Sequence, residues 1–187
     1  MSATAAGAPA PRTVLVVGNP RPASRTRASG ERVVAGLSGS EPDLVVELAD
    51  LGAELLDWTS ERVTALVEAV AAAELVVVAS PTYKTAYTGL LKLFLDRFAI
   101  GQVTGVVVPL MLVAAPQHAL APELVLRPVL AEISSGPVLK GLAVHDTAYD
   151  EESSYAGWLE AVLPTTSRLL SADRAVPPSL ETTGARA

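Results

Sequence analysis

Residues 80–97 read Ser-Pro-Thr-Tyr-Lys-Thr-Ala-Tyr-Thr-Gly-Leu-Leu-Lys-Leu-Phe-Leu-Asp-Arg and follow the uninterrupted apolar run Leu75 to Ala79. The run predicts a buried strand, and the end of the stretch predicts an amphipathic helix. The polar insert between them therefore lies at the carboxyl end of a strand, where open α/β sheets bind ligands. Pro81 enforces an extended approach, Gly89 lets backbone or ligand come close, and Tyr83 and Tyr87 supply flat surface. Such a segment suits a planar heterocycle better than a phosphate or a metal ion.

On either side, short apolar runs alternate with helical patterns, the signature of a parallel sheet covered on both faces. Strands are predicted at Thr13 to Val17, Leu44 to Leu48, Leu75 to Ala79, Val106 to Val113 and Val138 to Val144. Ser24 or Thr26 can cap a helix running to about Leu37, and Ser60 a helix with Val63, Leu66, Val67 and Val70 on one face. Gly89 to Phe98 reads as the next helix, and His118 to Ile133 as another despite Pro122 and Pro128. Glu151 to Leu170 closes a domain spanning 12–174 with a helix broken near Pro164, and 1–11 and 175–187 read as disordered tails.

Five strands with intervening helices leave a choice among doubly wound folds. A dinucleotide Rossmann fold needs G-x-G-x-x-G after its first strand, whereas residues 18–24 read Gly-Asn-Pro-Arg-Pro-Ala-Ser. The G-K-[ST] of a P-loop is absent, and so are acidic residues at the end of the first strand. The expectation is a flavodoxin-like α/β fold: a five-stranded parallel sheet in order 2-1-3-4-5, helices on both faces, ligand between the first and third strands.

Composition narrows the chemistry. The 187 residues are 50% hydrophobic and 18% charged, which fits a globular domain with a proper core. A net charge of -6 gives no reason to expect nucleic acid. The chain has no cysteine, which excludes disulfides, thiol catalysis and Cys-based zinc sites, and its two histidines are too few for most metal centres. Met1 to Pro11 lacks the pattern of a signal peptide, and no apolar run approaches the ~20 residues that span a bilayer, so a cytoplasmic protein without membrane contact is expected.

The first loop, Gly18 to Thr26, runs from strand to helix, where free amides and the positive dipole end suit a phosphate monoester. Asn19, Ser24 and Thr26 add neutral donors, and Arg21 adds charge in fork geometry. The same residues also suit an ordinary βα turn with a serine cap and solvated arginines. The third-strand loop favours the ligand reading, because both loops fall at one crevice if the strand order holds. Pro81, Thr82, Tyr83 and Lys84 would meet a flat ring there, and a ligand with a phosphate tail and a planar head fits FMN. In the alternative, Tyr83 and Tyr87 cover the sheet edge.

The patterns Gly-Asn-Pro-Arg-x-x-Ser-x-Thr (18–26) and Ser-Pro-Thr-Tyr-Lys-x-x-Tyr-Thr-Gly-Leu-Leu-Lys-x-Phe-Leu-Asp (80–96) resemble the NAD(P)H-dependent FMN reductases. The similarity is greatest to the branch that supplies reduced flavin to alkanesulfonate and related two-component monooxygenases. It continues through His118-Ala-Leu-Ala and Leu126 to Leu130, covering roughly 13–145. The resemblance implies that Asn19, Arg21, Ser24, Arg25 and Thr26 hold the FMN phosphate. Pro81, Thr82, Tyr83 and Lys84 would line the ring and ribityl side, with Tyr87 and Gly89 near the mouth. The loop Ala114-Ala115-Pro116-Gln117-His118 would approach the pyrimidine edge, although a lone histidine near a helix start is more often structural. Relatives usually carry glycines where Ala114 and Ala115 stand, and Pro116 has no N–H, so a looser grip on the ring is expected.

The implied reaction moves a hydride from NADPH or NADH to FMN. The flavin carries that chemistry, so no catalytic side chain is required. A two-component monooxygenase is the implied partner. Competing readings are a reductase of quinone, azo or other organic acceptors with FMN retained, a flavin-binding electron carrier, and a flavin-free scaffold. Leu90, Leu91, Phe94, Leu95 and Phe98 form a stripe wider than one side of a sheet requires, which predicts a homodimer or homotetramer through this helix. His145 and Asp146 read as surface turn residues.

Overall fold

A computed structural model describes residues 12–172; the expected tails lie outside the described residues. Five parallel strands form one sheet in the order β2-β1-β3-β4-β5, so the flavodoxin-like topology holds. They are β1 (Thr13–Val17), β2 (Leu44–Glu47), β3 (Leu75–Pro81), β4 (Val106–Val113) and β5 (Leu142–His145). The helices are α1 (Arg25–Ser38), α2 (Glu61–Ala71), α3 (Gly89–Leu95), α4 (Arg127–Ile133) and α5 (Ser153–Ala172).

Side-chain alternation along each strand divides the core into two layers. Val14, Val16, Val76, Val78 and Val107 face α2, α3 and α4, meeting Val63, Val67, Leu91, Phe94 and Leu130. Leu15, Val77, Val108 and Leu110 face α1 and α5, meeting Val33, Val34, Tyr155 and Val162. Buried on both faces, β1 after Thr13 and β4 carry apolar side chains on both sides, which makes them readable as strands although Pro109 interrupts β4. Pro109 stands inside β4 opposite Val78, but the Val107 amide two residues earlier bonds the Pro137 carbonyl. By strand alternation position 109 therefore turns its backbone away from β3, toward the break at Lys140 and Gly141, and its missing N–H costs the β3 ladder nothing.

Several boundaries differ from expectation. The last strand was expected from Val138, but Val138 makes an isolated bridge to Val107, and β5 begins at Leu142. Lys140 and Gly141 separate the two apolar pieces, and Gly141 sits so close to Pro122 that a Cβ there would lie 2.6 Å from its side chain. The expected helix His118 to Ile133 resolves into a 3-10 turn (Pro116–His118), a π-helical turn (Pro122–Leu126) and α4. Prolines at 116, 122 and 128 remove backbone donors, which splits the segment.

Pro164, expected to break the last helix, lies inside a continuous α5. The carbonyl it leaves without an intrahelical donor is that of Glu160, on an exposed face where water can satisfy it. The Gly89 helix stops at Leu95, short of the expected Phe98. Its apolar stripe is consumed at home: Leu91, Phe94, Leu95 and Phe98 are all buried within the chain, with Phe94 and Phe98 in edge-to-face contact.

Candidate active site

The loop after β1 and the loop after β3 meet across a single cleft of about 540 Å³ at the carboxyl end of the sheet. That volume falls within the roughly 300–1,000 Å³ of small-molecule sites. Arg21 and Tyr83 share the cleft, as do Asn19, Ser24, Arg25 and Thr26 on one wall and Pro81 and Thr82 on the other.

The loop after β1 is held by its own polar groups. Asn19 Oδ1 accepts from the Arg21 amide at 2.9 Å, and Asn19 Nδ2 donates to Thr26 Oγ1 at 2.9 Å. Ser24 caps α1, its Oγ accepting from the Arg27 amide at 3.3 Å. Both hydroxyls thus act as acceptors toward the chain, leaving their hydrogens for an anion in the cleft. The first amides of α1, at Arg25 and Thr26, have no partner inside the helix and add its positive end. No ion pair engages Arg21 among the described residues. Asn19 therefore acts first as the organiser of the loop, with one amide hydrogen already committed.

Arg25 reaches across to the loop after β5. Its Nη1 donates to the Asp146 carbonyl at 3.2 Å, lies 3.8 Å from the Asp146 carboxylate, and the guanidinium sits 5.6 Å from the Tyr149 ring centre. Asp146, expected on a plain surface turn, is a wall of the cleft. The parallel register explains the displacement: every strand delivers its following loop to the same edge of the sheet. Pro22, Ala23 and Leu112 also line the cleft without having been singled out as site residues. Leu112 was hidden inside an apolar run that reads only as strand.

The wall contributed by the loop after β3 is a tight turn. The Tyr83 amide donates to the Ala86 carbonyl at 2.8 Å, and the Ala86 amide returns a bond to Tyr83 at 3.2 Å. Lys84 and Thr85 take positive φ, 53° and 73°, the pattern of a type I′ turn built without glycine. A β-branched residue in that region stores strain, a feature that clusters at functional sites. The Thr82 amide is committed to the Leu112 carbonyl at 2.9 Å, so the amides at the turn tip are those left for a ligand. Thr82 Oγ1 is buried with no hydrogen-bond partner among the described residues, and Tyr83 is 51% exposed over the opening.

The two walls are tied together beneath the cleft. Thr88 Oγ1 donates to the Gly18 carbonyl at 2.6 Å and accepts from the Leu91 amide at 3.1 Å, capping α3. Ser80 Oγ accepts from the Thr88 amide at 3.1 Å. Gly18 is obligatory at this junction, since a Cβ there would lie 2.7 Å from Leu91 Cβ.

Other expected site residues fall outside the lining. Lys84 is exposed at the turn tip, and Gly89 opens α3 with free space around it. Tyr87 packs against the core, and burial pushes its phenol upward from the ordinary tyrosine range, with Lys92 opposing and Asp96 adding. Ala115 is extended (φ -152°), Gln117 is exposed, and His118 is half-buried with an unpartnered Nδ1. Ala114 alone of that loop lines the cleft.

A flavodoxin-like sheet with an anion-ready loop facing an aromatic turn defines a nucleotide-binding α/β protein of the flavin-dependent kind. The family model for NADPH-dependent FMN reductase matches residues 11–150, and the chain belongs to that family, as an oxidoreductase working with FMN and NADPH or NADH. It is 30% identical over 141 residues to the FMN reductase (NADPH) of Escherichia coli K12, covering 73% of this chain and 74% of that one. It is 32% identical over 172 residues to the NADH-dependent FMN reductase SfnF of Pseudomonas putida, covering 83% and 91%. The solved apo NADH:FMN oxidoreductase EMOB is similar in fold, with a TM-score of 0.73 at 24% identity over 90% of this chain and 91% of that one.

Proposed function

We propose that this chain reduces FMN with NADPH or NADH in the cleft between the β1 and β3 loops and passes the reduced flavin to a two-component monooxygenase. The observation that carries the assignment is the convergence of Arg21, Ser24 and Thr26 on one wall with Thr82 and Tyr83 on the other. In this reading the α1 amides, the two hydroxyls and Arg21 hold the phosphate, as a helix N-terminus holds a dianion. The orphaned Thr82 hydroxyl and the turn-tip amides meet polar atoms of the isoalloxazine. Tyr83 screens the ring from water while leaving a face open for the nicotinamide. When bound, the flavin supplies the hydride chemistry, and the chain contributes position and electrostatics.

Delivery to a monooxygenase is supported by an open cleft that permits exchange, and by curated relatives named as FMN reductases. The working unit in this proposal is a homodimer or homotetramer. The support is now Leu93 and Ile100, 36% and 81% exposed beside α3, in place of the buried stripe. Anaerobic mixing of the protein with FMN and either nicotinamide nucleotide tests the assignment: bleaching of the visible flavin band with multiple turnovers is expected. A single turnover limited to protein-bound flavin would overturn the supply role, and no bleaching would overturn the whole reading.

A further inference from the structure

Glu47 ends β2 directly beside Val17, and its side chain is 6% exposed. Its Oε1 accepts from the Ala23 amide at 3.1 Å and lies 3.5 Å from Arg27 Nη1. Its Oε2 is buried with no hydrogen-bond partner among the described residues. Ala23 adopts φ 49°, uncommon for alanine, and lines the cleft. Arg27 is shared, since its Nε donates to Glu31 Oε1 at 2.7 Å. Two carboxylates thus compete for one guanidinium, and the group keeps one negative charge in excess behind the loop that faces the phosphate side. Nothing in the family-like sequence pattern pointed to Glu47.

We propose that Glu47 sets the affinity for the phosphate tail: it fixes the loop through Ala23, while its buried charge weakens the hold on a dianion. The inference rests on the reading that the cleft takes FMN. A charge shielded from water acts over a longer distance than an exposed one, so Glu47 reaches the phosphate wall without touching the ligand. Shape and charge work in opposite directions, which suits a flavin that must be gripped in one orientation and then released.

Glu47→Gln separates the two effects, because the amide oxygen still accepts from Ala23 while the charge is gone. Flavin fluorescence quenching gives the dissociation constants for FMN and for riboflavin, which lacks the phosphate. In Glu47→Gln the FMN constant falls about tenfold and that of riboflavin stays within about twofold, the FMN gain shrinking as salt rises. Glu31→Gln, a partly exposed position outside the cleft, frees Arg27 for Glu47 and tightens FMN about threefold in the same selective way. Equal shifts for both flavins, or no FMN gain in either variant, overturn the role of Glu47 while leaving the cleft assignment intact. Wild-type protein that quenches neither flavin overturns the cleft assignment and this proposal with it.

Discussion

Replacing Thr88 by valine removes one hydroxyl, keeps the shape of the side chain, and cuts the tie between the two walls of the cleft. Thr88 is 5% exposed, so water cannot replace what is lost. The hydroxyl caps α3 by accepting from the Leu91 amide, and loss of such a cap costs about 1 kcal/mol. It also donates to the Gly18 carbonyl, which is buried, and an orphaned buried acceptor costs about 1–3 kcal/mol. Together the substitution should cost about 2–4 kcal/mol, a drop of roughly 10 °C in melting temperature for a domain of this size. Thr88→Ser keeps both bonds and should stay within about 1 kcal/mol of wild type. Urea unfolding followed by circular dichroism reads the difference. FMN affinity should fall in the valine variant and hold in the serine variant, because Gly18 begins the phosphate-side loop. If valine and serine prove equally stable, or valine lies within about 0.5 kcal/mol of wild type, the hydroxyl is not the tie described.

Three further outcomes follow from the same geometry. Arg21→Ala should raise the apparent KM for FMN about tenfold and leave that for riboflavin unchanged, since a charge-assisted contact to phosphate is lost; steady-state assays with both flavins decide. Thr85→Gly relieves a β-branched residue at φ 73° and should stabilise the fold by about 1 kcal/mol in denaturant melts; destabilisation would show that the turn is not strained. Asp43 is held below the ordinary aspartate range first by the Thr13 amide, then by the Thr13 hydroxyl and the Arg12 amide. Its folded value being depressed, the stability it adds is present above the unfolded value and lost as pH falls through the folded one. Asp43→Asn should therefore be less stable than wild type at neutral pH and indistinguishable from it in acid; a gap that persists in acid would refute the charge argument.

The sheet was legible because its strands are buried on both faces. β1 and β4 are readable with the bounds the structure gives them, β4 despite its interior Pro109, and the Ser24 and Ser60 caps stand where side-chain oxygens precede helical periodicity. Strand order came from motif elimination, and order placed the two loops at one cleft. What stayed hidden is long-range and polar. Glu47 and Asp146 are single acids after short strands, and only the register that brings them beside Ala23 and Arg25 gives them a role. The β5 boundary was hidden for a related reason: hydropathy sees Val138 to Val144 as one run, whereas the backbone pairs its two halves with different parts of β4.

The alanines at 114 and 115 look different once the backbone is known. A glycine is demanded where φ is positive or a Cβ has no room, and Ala115 meets neither condition, being extended at φ -152° and ψ 147°. Pro116 opens a 3-10 turn, at a position whose amide has no partner within the turn, so its missing N–H costs the turn nothing. The turn is closed instead by the His118 and Ala119 amides, bonded to the Ala115 and Pro116 carbonyls at 3.0 Å each. The chain therefore holds this loop without glycine, and of its residues Ala114 alone lies on the cleft wall. On the proposed reading, the fit for the ring then rests on the Tyr83 turn, where Lys84 and Thr85 take positive φ, and the hold on the phosphate on Glu47.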